Sequence, residues 1–568
     1  MINLPIFFRW SILLAIFALP ASVVSAVAAQ EPESAGPIAV VSLAAYDQWH
    51  ENVAMIGELS GSPDLAQGLE AMLKIATANR GAAGLDKTRP WMAALIPVGP
   101  MFTAYACLPV DDLDALIDVV RPLTADISTD RGTHKITLSS GQTIYVARRG
   151  DWAVVALDPT TVGRVPADPL ALVGELPKKF DVAVRLHVAR VPETLRAFVL
   201  AQVEGVVAEQ AVRRPEDDDA TYAGRRTGGR LALGMLKTAL TELDEVTVGF
   251  ALDRSARRLT AEVLLVPKDG TPAARRWNEY ADRAPDESIA PRLRDAATIA
   301  FGSWSCVLSQ PARDALGAWV ETMRAESLRD FERLASSERV EFEKQVTLSL
   351  FEVARNLPAA ERLEGNFGFV PRDGLPAMIA AVRLPREGPW TKDAERLALI
   401  LGRYPGVNTD MQTAEDCHGK VRLYRISAPI AKDANRRETL VRQYGKEVEL
   451  VLGIGEEHLY FATTRDGFDV LARALAASNA GGATPVPRPL ECSLALAKVF
   501  RMTDDMLEGA GGVEMALDAE ILEQSPGKDH IRLMIEPAER GIRVSLELEE
   551  GVLRLIGPAM GTLGGRAI

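Results

Sequence analysis

The sequence has few of the residues that build metal and cofactor sites. Its 568 residues include four Cys and six His, and no His lies three or four positions from another. Zinc sites and helical metal motifs use closely spaced ligands, because the side chains must reach one ion. The phosphate-binding patterns G-x-x-x-x-G-K-[ST] and G-x-G-x-x-G are absent as well. Local spacing therefore predicts no metal and no cofactor.

The chain has fewer basic than acidic residues, and it has few aromatic residues. The formal net charge is −13, and removing residues 1–28, whose one charged side chain is Arg9, leaves it near −14. Nucleic acids and anionic membranes attract cationic patches, so neither is expected as a general partner. The basic pairs at 225–226 and 275–276 are interpreted as solvated faces. Aromatic residues make up 6% of the chain, which argues against a sugar site, although local spacing does not test carboxylate pairs.

Two local patterns resemble functional motifs, and there is no G-x-S-x-G nucleophile elbow. Ser525 and Lys528 have the S-x-x-K spacing, but the Pro and Gly between them predict a turn and not the helix start that this chemistry needs. The carboxylates of Glu216–Asp219 are adjacent, whereas calcium loops place ligands at alternate positions. The sequence therefore assigns no catalytic, cofactor-binding or metal residue.

The four cysteines leave their redox state open. Cys107, Cys306, Cys417 and Cys492 are far apart and form no C-x-x-C pair. An exported protein could join them in any of three pairings. The alternative is that Cys107, Cys306 and Cys492 are free and pack as small hydrophobes in apolar strands. Cys417 and His418 form the closest pair of soft ligands, which is too few for a four-ligand site.

Long hydrophobic runs are absent after the N-terminal segment, so no transmembrane segment is expected in the mature chain. Residues 1–28 resemble a secretory signal, with one cation at Arg9, an apolar stretch at Trp10–Leu19 and the small-x-small cleavage pattern at Ala26–Ala28. No Cys follows the apolar stretch, which disfavours a lipoprotein anchor. We expect cleavage and export to the periplasm or beyond, with a retained N-terminal anchor as the alternative.

A hairpin pattern organises the rest of the chain. Gly141–Val165 predicts two strands around a turn at Arg149–Asp151, followed by a helix start at Asp158. A similar series of strands, turn and helix start returns over Lys420–Asp466. Apolar residues also alternate with polar ones over Phe180–Val188, which is typical of a strand with one buried face.

The order of elements predicts an α+β protein made of two duplicated halves, each with mainly antiparallel sheets of hairpins packed against helices. The predicted halves are 38–270, with subdomains near 38–170 and 171–270, and 297–557, with subdomains near 297–480 and 481–557. Residues 29–37 and 271–296 are predicted linkers, Arg213–Gly229 a mobile loop, and 558–568 a flexible tail.

The mature chain resembles the large exported proteins of unknown function of planctomycete-type bacteria. The resemblance is carried by the signal segment, the repeated strand–helix–hairpin halves and stretches such as Leu176–Arg185. It implies an exported protein and brings no activity, ligand or catalytic residue.

Three functions agree with these features. The first is a non-catalytic structural or binding protein of the periplasm or cell envelope, whose partner is another envelope protein or an apolar ligand. The second is a carrier that holds an apolar ligand, such as a lipid, in a cavity between sheet and helices. The third is an enzyme whose site is assembled from distant residues.

Overall fold

The computed structural model describes the chain between residues 36 and 555, with internal gaps. The described residues are 36–98, 101–210, 212–213, 219–281, 298–333, 337–360, 362–370, 377–386, 388–403, 406–416, 419–430, 441, 446–463, 466–479, 488–506 and 520–555. The predicted tail lies outside these ranges. The described residues divide into two compact units, those within 36–198, 243–268 and 553–555 in the first and those within 199–242 and 269–552 in the second.

The first unit contains one antiparallel sheet. Its strands, within the described residues, are β1 (Ala39–Leu43), β2 (Trp91–Val98), β3 (Met101–Pro109), β4 (Thr124–Asp130), β5 (Thr133–Leu138), β6 (Thr143–Arg149), β7 (Trp152–Ala156), β8 (Val182–His187), β9 (Leu243–Asp253) and β10 (Arg258–Pro267). Their order across the sheet is β4-β5-β6-β7-β3-β2-β1-β8-β9-β10. Strands on both sides of residue 170 therefore belong to the same sheet.

The helices of the first unit lie between strands that are neighbours in sequence. They are α1 (Tyr46–Leu59), α2 (Leu65–Ala76), α3 (Leu113–Val120), α4 (Pro159–Val162), α5 (Leu170–Val173), α6 (Leu176–Lys179) and the start of α7 (Glu193–Gln210), with 3-10 turns at Arg121–Leu123 and Val188–Arg190. The predicted hairpin and helix start are β6, β7 and α4. The side chain of Asp158 caps α4 by accepting hydrogen bonds from the backbone N–H groups of Thr160 and Thr161, at 2.9 and 3.0 Å.

The second unit also contains an antiparallel sheet. Its strands in the described ranges are β11 (Ala300–Val307), β12 (Arg362–Val370), β13 (Ala377–Arg383), β14 (Asn408–Asp416), β15 (Gly419–Pro429), β16 (Glu447–Ile454), β17 (His458–Thr463), β18 (Leu490–Ala495), β19 (His530–Ala538) and β20 (Gly541–Leu548). Their order is β14-β15-β16-β17-β13-β12-β11-β18-β19-β20. Each strand therefore has the same neighbours as the strand numbered ten lower in the first unit.

The second unit is richer in long helices. Those described are α8 (Asp219–Glu242), α9 (Pro272–Ala281), α10 (Gln310–Arg333), α11 (Glu338–Ala354), α12 (Trp390–Leu401), α13 (Gly467–Asn479) and α14 (Leu496–Met506), together with a 3-10 turn at Leu357–Ala359. The expected loop at Arg213–Gly229 is wrong for its second part, because α8 begins at Asp219. The Gly-rich sequence has poor helix propensity, but α8 packs against α10, and tertiary contacts of this kind override propensity. Part of the predicted linker is helix α9.

Helices cover the two sides of each sheet in the same places. In the first unit, α4 to α6 contribute to a core with Tyr105 and Trp152, and α3 packs on the opposite side against Ile136 and Val146. In the second unit, α13 packs against Phe301 and Leu423, and α12 packs on the other side against Leu452 and Ile454. Burial of each large apolar side chain contributes roughly 1.5–3 kcal/mol. The α+β class and its antiparallel pairing are confirmed.

Candidate functional site

One side of the central strands of the first unit is apolar and partly open. Val41 of β1 pairs with Val184 of β8, Val182 of β8 pairs with Phe250 of β9, and Phe250 pairs with Ala261 of β10. Alternate side chains of neighbouring strands share one side of a sheet, so these residues form a single surface. Val184 is 40% exposed and Phe250 is 45% exposed. We call this surface the apolar face of the first unit.

The second unit has a corresponding apolar face. Gly302 of β11 lies between Phe367 of β12 and Cys492 of β18, and Cys492 is followed across the sheet by Leu533 of β19 and Leu546 of β20. The side chains of Phe367, Cys492, Leu533 and Leu546 are all partly exposed. Leu, Phe and Cys are among the residues most often found fully buried in proteins.

Aromatic rings lie close to the backbone in this face. A Cβ atom added to Gly302 would lie 2.2 Å from Cε1 of Phe367, and one added to Gly365 would lie 2.4 Å from Cζ2 of Trp304. The rings of Trp304 and Phe367 are 6.4 Å apart, and Phe369 meets Phe367 edge-on at 6.1 Å. Glycine leaves room for a ring to cover the neighbouring strand, which stabilises the pairing and exposes aromatic surface.

The opposite side of the same strands is polar and buried. Ser305 is 1% exposed and Glu364 is 5% exposed. The other buried polar residues on this side of the second unit are Ser303, Asn366, Glu491 and Ser545. Burial of polar groups is unfavourable unless they are hydrogen-bonded. Polar residues are therefore buried on the side that also holds the core residue Phe301, while the other side of these strands is apolar and only partly covered.

Ion pairs stabilise the buried polar side. Arg383 Nη1 donates to Glu364 Oε2 at 2.8 Å, and Arg383 Nη2 donates to Glu457 Oε2 at 2.7 Å. Ser305 Oγ donates to the second oxygen of Glu364 at 2.8 Å. Burial alone would lower the pKa of Arg383, but the hydrogen bonds and charges of the two glutamates outweigh it and raise that pKa. The network compensates the charge of a carboxylate that the sheet has buried.

The apolar faces would be stabilised by a surface that covers them. An apolar face that is partly exposed in a folded protein marks a surface that gains free energy when it is covered, at about 25 cal/mol per Å² of apolar area. The buried ion pairs hold their charges in fixed partnerships. Among the described residues, no group of three or more His, Cys, Asp or Glu side chains could hold a metal ion.

The motif-like residues of the sequence do not come together. Ser525 and Lys528 form a turn, in which the Lys528 N–H donates to the Ser525 carbonyl at 3.0 Å, and Lys528 pairs with Glu550. Residues 216–218 of the acidic cluster lie outside the described residues, as does the pair Cys417-His418. Cys107 and Cys492 are free thiols, and the Cys306 thiol donates a hydrogen bond to the carbonyl of Leu363 at 3.7 Å. In the described part of the chain, no helix is long and apolar enough to cross a membrane.

Sequence reasoning missed the apolar faces, although their signal was present. The alternation of Val182, Val184 and Leu186 predicts the buried side of a strand, whereas in the structure Val184 on that side is 40% exposed. Alternation fixes which residues share a side. It does not say which side other elements cover, so burial needs the tertiary structure.

The chain matches no known family model, no curated protein and no solved structure.

Proposed function

We propose that this protein is an exported, non-catalytic binding protein of the periplasm or cell envelope, and that its ligand is an apolar molecule such as a lipid. The partly covered apolar face of the second unit, with buried polar residues behind it, carries the proposal. A sheet that buries Glu364 and leaves Leu533 and Phe367 partly open is less stable than one with its apolar side chains fully covered. A ligand that covers these apolar side chains would stabilise the folded protein. The first unit supports it with the exposed Val184 and Phe250.

Two further features belong to the same proposal. The N-terminal segment with Trp10–Leu19 and Ala26–Ala28 supports export, where lipids and envelope components are available. The identical strand order of the two units, with helices inserted at corresponding places, supports an internal duplication. A duplicated fold would provide two related binding faces in one chain.

Ligand binding is tested directly on the mature protein, residues 29–568. Organic extraction of protein purified from its native envelope, followed by mass spectrometry, should release a stoichiometric apolar compound. Titration of delipidated protein with the apolar fluorophore N-phenyl-1-naphthylamine should show saturable binding that a fatty acid displaces. Extraction without any bound compound, together with no saturable fluorescence, would contradict the proposal. Recovery of an envelope protein in place of a lipid would assign the faces to a protein partner.

Substitutions in the two apolar faces test whether the ligand binds there. Val184→Lys and Leu533→Lys each introduce a cation into one face and should weaken the fluorophore affinity of that face about tenfold. Ile75→Lys is the matched control, because Ile75 of α2 is 79% exposed and lies outside both faces. Equal affinity in all three variants would exclude the faces as the site.

Thiol protection gives an independent measurement. In a Cys417→Ser background, a bound lipid should slow the alkylation of Cys492, whose side chain lies on the apolar face of the second unit. Cys107 is the internal control, because it is fully buried and burial raises the pKa of its thiol to about 12. Unchanged alkylation of Cys492 at saturating lipid would remove that face from the site.

A further inference from the structure

His187 lies at the point where a strand of the first sheet leads into a long helix. It is the last residue of β8, and it is followed by the 3-10 turn Val188–Arg190 and then by α7. Only 16% of its side chain is exposed. The backbone N–H of His187 donates to the carbonyl of Ile38 at 2.7 Å. The imidazole is therefore largely buried where the chain leaves the sheet.

Four charged side chains act on this imidazole. Glu245 of β9 lies opposite His187 in the ladder, with one oxygen 3.5 Å from His187 Nδ1 and the other 3.1 Å from Arg185 Nε. Among the described residues, Glu245 is the one carboxylate within ion-pair distance of His187. Asp244 of β9 and Arg190 of the turn act on it through their charges. We call Arg185, His187, Arg190, Asp244 and Glu245 the His187 cluster.

The acids of the cluster are shared with other cations. Glu245 also pairs with Arg185. Asp244 also acts on Lys268, which follows β10 and on which Arg196 of α7 acts in turn. A proton on the imidazole would therefore add a positive charge to a group whose carboxylates already interact with other cations.

The neutral imidazole is favoured in the folded state. Burial lowers the pKa of His187, and the charges of Arg190 and Arg185 lower it further. The charges of Glu245 and Asp244 oppose this change without outweighing it. Opening of the turn would expose the imidazole to water and return its pKa towards the ordinary 6.5, so the open turn binds the proton more readily. The stability of the closed turn is therefore complete above pH 6.5 and decreases as the pH falls below it.

The 3-10 turn is the element that this change affects first. Arg190 Nη1 donates to the carbonyl of Pro37 at 3.0 Å, and the side chain of Val188 is buried. These contacts keep the turn on the sheet while the imidazole is neutral. Opening of the turn would separate the charges of Arg190 and His187, so a proton on His187 favours the open state.

The second unit contains a similar group with more negative surroundings. Glu549 has one oxygen 3.1 Å from His530 Nδ1 and the other 2.7 Å from Arg532 Nη1. A second carboxylate, that of Asp529, lies 3.7 Å from the same nitrogen of His530. A positive charge on His530 would therefore lie close to two carboxylates, whereas one lies this close to His187. The second unit thus provides a comparison within the same chain.

We propose that the His187 cluster is a pH-sensitive switch, which holds the 3-10 turn and the start of α7 on the first sheet at neutral pH and loosens them in mild acid. The shared carboxylates and the two arginines that act on the imidazole carry this proposal. The switch is separate from the apolar faces and stands without the proposed function.

Hydrogen exchange of the mature protein at pH 7.5 and pH 5.5 tests the switch, with rates converted to protection factors to remove the intrinsic effect of pH. Protection of the amides of residues 188–191 should fall about threefold in acid. The amides around His530 should keep their protection. Unchanged protection at residues 188–191, or an equal fall in both units, would overturn the proposal.

Variants assign the pH dependence to the cluster. His187→Gln is uncharged at both pH values and should make the protection of residues 188–191 independent of pH. Arg190→Gln removes one opposing cation and should reduce the fall to less than about twofold. His134→Gln is the matched control, because His134 lies on β5 of the same unit, and it should retain the full fall.

Circular dichroism at pH 7.5 shows whether each variant is folded, and the comparison of the two units in the wild type decides the matter if one is not. A pH dependence that persists in folded His187→Gln, or that is lost in His134→Gln, would refute the His187 cluster as the switch.

Discussion

At the residue scale, Arg383 compensates the charge of carboxylates on the buried polar side of the second sheet. It bridges Glu364 and Glu457 through separate nitrogen atoms. Glu364 lies almost wholly out of solvent, and an isolated carboxylate in such a place is very unfavourable.

Replacement of this guanidinium should therefore be costly. Arg383→Met leaves the carboxylate of Glu364 with less compensation, and we expect it to lower the free energy of unfolding by roughly 3 kcal/mol. Arg473→Met is the matched control, because the side chain of Arg473 is 71% exposed and its pair with Asp466 is worth at most about 1 kcal/mol. Urea titration followed by tryptophan fluorescence measures both. Equal effects would show that the buried pairing is not decisive.

Asp158 gives the protein a defined sensitivity to acid. Burial would raise the pKa of this carboxyl, but hydrogen bonds from Thr160, Thr161 and Thr103 outweigh it and lower the pKa to about 2 from an ordinary 3.8. The folded state therefore binds this proton less readily than the unfolded state does. The resulting stability is present above pH 3.8 and is lost as the pH falls towards 2.

Asp158→Asn should flatten this part of the pH profile. We expect the variant to lose less stability than the wild type between pH 4 and 2, in addition to a pH-independent loss of about 1 kcal/mol from the weaker cap of α4. Melting temperatures across that range measure the difference. Asp130→Asn, which changes an exposed acid on β4 of the same unit, is the control, and a profile as steep as the wild type in Asp158→Asn would disprove the assignment.

At the scale of elements, α8 shows how packing overrides composition. Its sequence contains Gly228, Gly229 and Gly234, and an isolated helix of this composition would be weak. An added Cβ would meet nothing within 4 Å at Gly228 or Gly234, whereas at Gly229 it would lie 3.0 Å from Val207 Cγ1 of α7. Of these three glycines, only Gly229 is explained by a close approach.

Gly234→Ala should stabilise α8 by about 1 kcal/mol, because alanine loses less backbone entropy in a helix and fills open space. Gly229→Ala should gain less, since the new methyl group must displace Val207. Hydrogen exchange of the α8 amides measures the local effect, and about fivefold slower exchange is expected for Gly234→Ala. Equal protection in both variants would show that the contact with Val207 is not limiting.

At the scale of the whole molecule, the strands follow the same order across the two sheets, and helices are inserted at corresponding places in the sequence. The apolar alternation that builds them was visible in the sequence, and so was the hairpin at Thr143–Ala156 with its helix start at Asp158. Two features of the sheets could be seen only in the structure. They are the pairing of β1 with both β2 and β8 and the joining of all strands of a unit into one sheet. The pairings of β1 link residues such as Leu43 with Trp91 and with Val182, which are far apart in the sequence and which local patterns do not encode.

Export is a property of the whole chain and has its own test. If residues 1–28 are a signal, the mature protein isolated from its source should begin at Ala29, because the small residues Ala26 and Ala28 fit the cleavage site. Intact mass spectrometry and N-terminal sequencing measure this directly. Replacement of Ala28 by a bulky residue should leave the precursor uncleaved, and a mature protein that still begins at Met1 in the wild type would show that the segment is retained.

The sequence by itself determined the class of this protein, since alternation and turn residues specify strands and hairpins, and amphipathic spacing specifies helices, through interactions between near neighbours. It also determined which side chains share a side of each strand. Only the tertiary structure decided which of those sides is covered. Burial depends on the elements that pack from distant parts of the chain, and so the partly exposed apolar faces and the buried Glu364 could not be deduced from spacing alone.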